Sequence, residues 1–113
     1  MSFIDVIKEC QAAVIFLNLK RLDASIAPVF KQEILKLIEA GENKIVLDLN
    51  AVEFIDSSGL GALVSILKAL GSGGSIVICN ARVGVLGLFR LTRMDKVFSI
   101  LPSREEAITK IST

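Results

Sequence analysis

The sequence predicts an α/β domain built on a mixed, mostly parallel sheet of about five strands flanked by about four helices. Three observations lead there. Residues 44–49 and 75–80 are short, almost wholly apolar runs, the pattern of strands buried on both faces. Segments with helical apolar spacing lie between successive strand-like runs, so the strands join through crossovers and run parallel. Residues 3–8 and 13–19 are adjacent strand-like runs with no helix between them, which reads as a hairpin and makes the sheet mixed.

The hairpin would turn near Glu9-Cys10-Gln11, although no Asn-Gly type signal marks the place. Residues 20–25 read as a connection, with Ser25 as the cap of the first helix and Pro28 tolerated in its first turn. Ile26, Phe30, Ile34, Leu37 and Ile38 recur at helical spacing, with Lys31, Gln32, Lys36 and Glu39 on or near the other side. Gly41 is the stop signal. Residues 44–49 form the next strand, with Asp48 as its one acidic residue.

A helix then runs from about Ser58 to Leu70. Beyond its first turn only Ser65 and Lys68 are polar, so it is either covered on most sides or offers apolar surface to a partner. Gly71-Ser72-Gly73-Gly74 is a loop, and residues 75–80 are another strand. Residues 83–91 are helical, with Val85, Leu88 and Phe89 on one side. Residues 97–101 make a short strand ended by Pro102. Ser103-Arg104-Glu105-Glu106 has the spacing of a capping box and opens a last helix through Ile111.

At 113 residues the chain has room for one core, and one domain over residues 1–113 is expected. A hydrophobic content of 52% against 22% charged residues excludes a disordered tail, and a net charge of +1 selects no polyanionic partner. Arg82, Arg90, Arg93, Lys96 and Arg104 crowd the C-terminal third. Only Phe89 and Phe98 accompany them, and both fit the core, so a solvated face is expected and not a nucleic-acid patch. Lys68 interrupts the best apolar run, and Asp5, Lys8 and Glu9 rule out a secretory leader at the start, so a cytoplasmic protein without a membrane span is expected. With no His, a Ser-His-Asp triad cannot be assembled from this chain. Cys10 and Cys79 have no CxxC partner and read as ordinary thiols, and no metal or cofactor is expected.

The stretch the chain is organised around is Phe54-Ile55-Asp56-Ser57-Ser58-Gly59-Leu60-Gly61. It places a carboxylate and two hydroxyls at a helix N-terminus, where backbone N–H groups lack partners and the dipole favours negative charge. On the residues alone, helix capping accounts for one hydroxyl and leaves the other without a purpose. Asp56 could orient the Ser57 hydroxyl or stabilise the helix dipole. Gly59 and Gly61 would let another backbone approach. A dinucleotide fingerprint would need a third glycine where Val64 stands, and a hydrolase elbow would need one where Ile55 stands.

This motif resembles the signature of the STAS domain, most closely that of bacterial anti-sigma factor antagonists. Leu22-Asp23-Ala24 resembles the family's Leu-Asp element, and Ile45-Val46-Leu47-Asp48-Leu49 its central strand. Leu88-Phe89, Leu91, Met94 and Val97-Phe98 look like its third helix and last strand. The resemblance implies a non-enzymatic protein switched by phosphorylation of Ser57. Its partners would be an ATP-binding serine kinase that is also the anti-sigma factor, and a metal-dependent phosphatase of the PP2C type. It further implies partner contacts through Asp23, Asp56, Ser58, Gly59, Leu60 and Gly61. The family often has Gly before the Leu-Asp element, where this chain has Lys20 and Arg21. The rival reading is a constitutive STAS ligand-binding or scaffold module, or a regulator of biofilm or secretion control. A monomer and a weak dimer are both compatible with the sequence.

Overall fold

The computed structural model describes residues 3–112. Strand β1 (Ile4–Glu9) and strand β2 (Ala12–Leu17) form the antiparallel hairpin, with Ile4 opposite Leu17 and Glu9 opposite Ala12. Cys10 and Gln11 both take left-handed backbone angles, φ 52° and 68°. These are the angles of a mirror-image two-residue turn, normally met by Asn-Gly, which is why the turn carries no sequence signal.

Helix α1 (Ala27–Glu39) follows, then strand β4 (Lys44–Asp48), after the two-residue strand β3 (Arg21–Leu22). Beyond them come strand β5 (Phe54–Ile55), helix α2 (Ser57–Leu70), strand β6 (Ser75–Cys79), helix α3 (Val83–Leu91), strand β7 (Ser99–Leu101) and helix α4 (Arg104–Ser112). The main sheet has the order β1-β2-β4-β6-β7, with every pair after the hairpin parallel. Strands β3 and β5 pair separately.

The central strands are covered on both faces, and alternation sorts their side chains. Ile15, Leu17, Ile45, Leu47, Ile76 and Ile78 join Phe30, Ile34, Leu63, Ile66 and Phe89 in the larger core under α1, α2 and α3. Val14, Val46, Val77 and Cys79 face the other way, towards Ala107, Ile108 and Ile111 of α4. Phe89 and Phe98 meet edge to face at 6.1 Å between ring centroids. Asp48 is a buried carboxylate in β4, and it accepts hydrogen bonds from Asn80 Nδ2 at 3.0 Å and the Asn50 amide at 2.9 Å.

Three local expectations are corrected. Ser25 does not cap α1. The helix starts after Ile26, and the Ser25 hydroxyl donates to Asp23 Oδ1 at 2.5 Å. A nearby carboxylate is the stronger acceptor, and it draws the Ser25 amide into the same turn at 3.1 Å. The last strand begins at Ser99, not Val97, because Arg93 turns left-handed at φ 63° and Met94–Lys96 forms a single 3₁₀ turn before it. Strand β6 ends at Cys79, since Asn80 is also left-handed at φ 56°. Two other signals act as read. Pro28 sits in the first turn of α1, and the Ser103 hydroxyl accepts from the Glu106 amide at 3.2 Å at the start of α4.

Candidate phosphorylation switch at the start of the second helix

The site is built where β3 and β5 deliver the chain to α2. In this small parallel pair Arg21 lies beside Phe54 and Leu22 beside Ile55. Leu22 and Ile55 are buried, so the alternate positions Arg21 and Phe54 face outward. The ladder continues one step, with the Asp56 amide donating to the Leu22 carbonyl at 3.3 Å.

Asp56 is the cap of α2. Its Oδ1 accepts from the Gly59 amide at 3.0 Å, and its Oδ2 accepts from the Ala24 amide at 3.2 Å. One carboxylate therefore ties the helix start to the turn that carries Asp23. This corrects the expectation that a serine hydroxyl caps the helix: the residue before the pair does so, since a carboxylate there also meets the positive end of the dipole. Ser57 and Ser58 are the first two residues of the helix, both exposed, and neither hydroxyl has a hydrogen-bond partner among the described residues.

Gly59 and Leu60 lie beneath this surface. A Cβ on Gly59 would run into the Leu22 carbonyl oxygen and lie 2.9 Å from Ile55 Cγ2, so the close backbone approach it permits is with β3 of its own chain. Leu60 is only 8% exposed and belongs to the core. Both residues are thus buried in the free chain, where an exposed docking position was expected. Gly61 is open, with nothing within 4 Å of an added Cβ. Of the two alternatives for α2, covered on most sides or offering apolar surface, the structure shows the first. Leu63 and Ile66 are fully buried, and the helix exposes Ser57, Ser58, Gly61, Lys68 and Ala69. The sequence shows that a helix is apolar all round, but not which neighbours cover it. Here α1 and the sheet do.

Between α1 and α2 runs a shallow groove of about 390 Å³, lined by small residues together with Lys31, Ser58 and Ser65. On the other flank the guanidinium carbon of Arg21 lies 4.2 Å from the Phe54 ring centroid, and Arg21 Nε lies 3.2 Å from Asp23 Oδ2. Ser25 holds Asp23 through its hydroxyl and its amide. The Ser25 hydroxyl, ahead of the Arg21 contact, keeps the Asp23 carboxyl below the usual carboxylate range. The Arg21–Phe54 contact and Lys31 were not singled out from the sequence. The signal for the first is the alternation of Arg21 and Phe54 with the apolar Leu22 and Ile55. Of the C-terminal cations, Arg82 donates to the Asn50 carbonyl at 2.7 Å and Arg104 lies over Phe16.

The fold recurs in known proteins. The chain is 34% identical over 100 residues to a Thermotoga maritima protein provisionally named an anti-sigma factor antagonist, covering 87% of this chain and 88% of the relative. It superposes on the crystal structure of an anti-sigma factor antagonist from Mycobacterium paratuberculosis with a TM-score of 0.88 and 25% identity, covering 97% and 93% of the two chains. The Bacillus cell fate determinant SpoIIAA, solved in its phosphorylated form, shares the fold with a TM-score of 0.70 at 19% identity, over 96% of this chain and 98% of that one. The STAS domain model matches residues 3–107. The chain belongs to the STAS domain family.

Proposed function

We propose that this protein is an anti-sigma factor antagonist, a regulatory binding protein without catalysis of its own, switched by phosphorylation of Ser57. The observation that carries the reading is the free, exposed Ser57 hydroxyl at the first position of α2, where Asp56 has already taken the capping role. The phosphorylated form of a fold neighbour supports it.

In this reading the unphosphorylated protein docks an ATP-binding serine kinase that is also an anti-sigma factor, and the sigma factor is freed. The docking face comprises Asp23, Ser57, Ser58 and Gly61, with Asp56 holding its two halves together. The kinase transfers a phosphoryl group to the Ser57 hydroxyl, and a PP2C-type phosphatase removes it. The phosphate brings roughly −1.5 to −2 of charge beside the Asp56 carboxylate. A loss of two to three orders in affinity needs about 3–4 kcal/mol. One phosphate at the centre of a desolvated interface is enough for that.

The test is binding to the serine kinase by calorimetry with Ser57→Ala and Ser57→Asp. Ser57→Ala should dock normally and take no phosphate, and Ser57→Asp should dock more weakly. If Ser57→Asp binds as tightly as the unmodified protein, the charge switch is wrong.

A further inference from the structure

We propose that Arg21 pairs with the phosphate on Ser57, leaving Asp23 to do so, so that modification rewrites the charge pattern of the whole docking face. This rests on Ser57 being the phosphorylated residue. Arg21 and Phe54 stand in register on the outer side of the β3–β5 pair, and the Asp56 amide bond to Leu22 carries that pairing to the residue before Ser57. Arg21 thus stands on the exposed side of the short strand pair that leads directly into Ser57. It is held by the Phe54 ring at 4.2 Å and by one ion pair to Asp23 at 3.2 Å.

Two features leave Arg21 free to change partner. First, Asp23 does not depend on it. The Ser25 amide at 3.1 Å and hydroxyl at 2.5 Å keep Asp23 satisfied when the guanidinium leaves. The Ser25 hydroxyl also contributes most to its low pKa. Second, the Arg21 side chain is 61% exposed, so only its direction has to change, while Phe54 keeps the guanidinium near. Asp56 cannot retreat from the phosphate, because both its oxygens are engaged. A planar guanidinium meets a phosphate through two parallel hydrogen bonds, a better match than its present single contact with Asp23. Before modification the face shows a neutral Arg21–Asp23 pair. Afterwards it shows an unneutralised Asp23 beside an arginine-bound phosphate.

The experiment installs phosphoserine at position 57 during translation and follows the phosphate by ³¹P NMR from about pH 4 to pH 8, across its second ionisation. The charged groups around it are Asp23 and Asp56, which push its pKa up, Arg21, which pulls it down, and Lys31, across the groove that Ser58 lines. R21Q should raise the phosphate pKa by about half a pH unit or more, and R21K should recover part of that. D23N, which frees Arg21, should lower it. A phosphate that titrates identically with and without Arg21 overturns the proposal. The serine is supplied already phosphorylated, so this result is independent of whether cells modify Ser57: a kinase failure removes the function proposed above and leaves the pairing standing.

Discussion

Gly59→Ala is the sharpest test of how the site is assembled. The new methyl would strike the Leu22 carbonyl oxygen and sit 2.9 Å from Ile55 Cγ2 and 3.0 Å from Leu22 Cγ. The oxygen belongs to the backbone of β3, so it cannot rotate aside. Either β3 or the first turn of α2 must move, and the Asp56 amide bond to Leu22 at 3.3 Å lies in the way. Overpacking of this kind costs about 1–3 kcal/mol, and losing the hydrogen bond about 1 more. Alanine returns up to about 1 kcal/mol through helix propensity. The net loss is about 1–3 kcal/mol. Gly61→Ala is the control, since nothing lies within 4 Å of its added Cβ. It should be neutral or stabilising by up to about 1 kcal/mol. The assay is equilibrium urea unfolding of both variants beside the unmodified protein. For a chain of this size each kcal/mol also moves Tm by about 4 °C. If Gly59→Ala is as stable as Gly61→Ala, the close packing of β3 on α2 is wrong.

Other consequences follow from the same contacts. Asp56→Ala removes the cap to Gly59 and the tie to Ala24, and should cost about 1–2 kcal/mol by urea unfolding, whereas Asp56→Asn should keep most of the stability. Ser25→Ala should raise the Asp23 pKa, read by NMR titration, because the Ser25 hydroxyl is the chief group holding it down. Since that pKa is depressed in the folded protein, the associated stability is present above 3.8 and is lost as pH falls through the folded value, and Ser25→Ala should shrink that loss. Burial, and then the Asp48 charge, push the Cys79 thiol up to about 12 from 9.0. Its neutral form is thus favoured in the native state, and stability should decline as pH rises from about 9 towards 12. At neutral pH a thiol reagent should label exposed Cys10 in the native protein and reach buried Cys79 only on unfolding.

The main sheet was legible because its strands announce themselves locally. Residues 44–49 and 75–80 are apolar runs that need two covered faces, and the structure supplies them with α1, α2 and α3 on one side and α4 on the other. The helices were legible from spacing, and α4 from its cap at Ser103. The remainder is set by competition or by distant contacts. At both helix starts beside the site a serine looked like the cap, yet a nearby carboxylate, Asp23 or Asp56, is the acceptor that organises the turn. Strands β3 and β5 have two residues each and exist only because Leu22 and Ile55 meet across a long stretch of sequence. The Cys10–Gln11 turn uses left-handed angles at residues that do not advertise them. The motif itself located Ser57, Ser58 and Asp56 in one place. It could not show that Gly59 and Leu60 serve the interior and leave Gly61 open.

The central claim is that Ser57 is the switch. The direct measurement is phosphosite mass spectrometry on the protein isolated from its own cells, in growth and under stress. The account predicts a phosphate on Ser57, whose exposed hydroxyl is free, with occupancy that changes between the two conditions. A Ser57 that carries no phosphate in either condition would contradict it, and would point instead to a constitutive binding module.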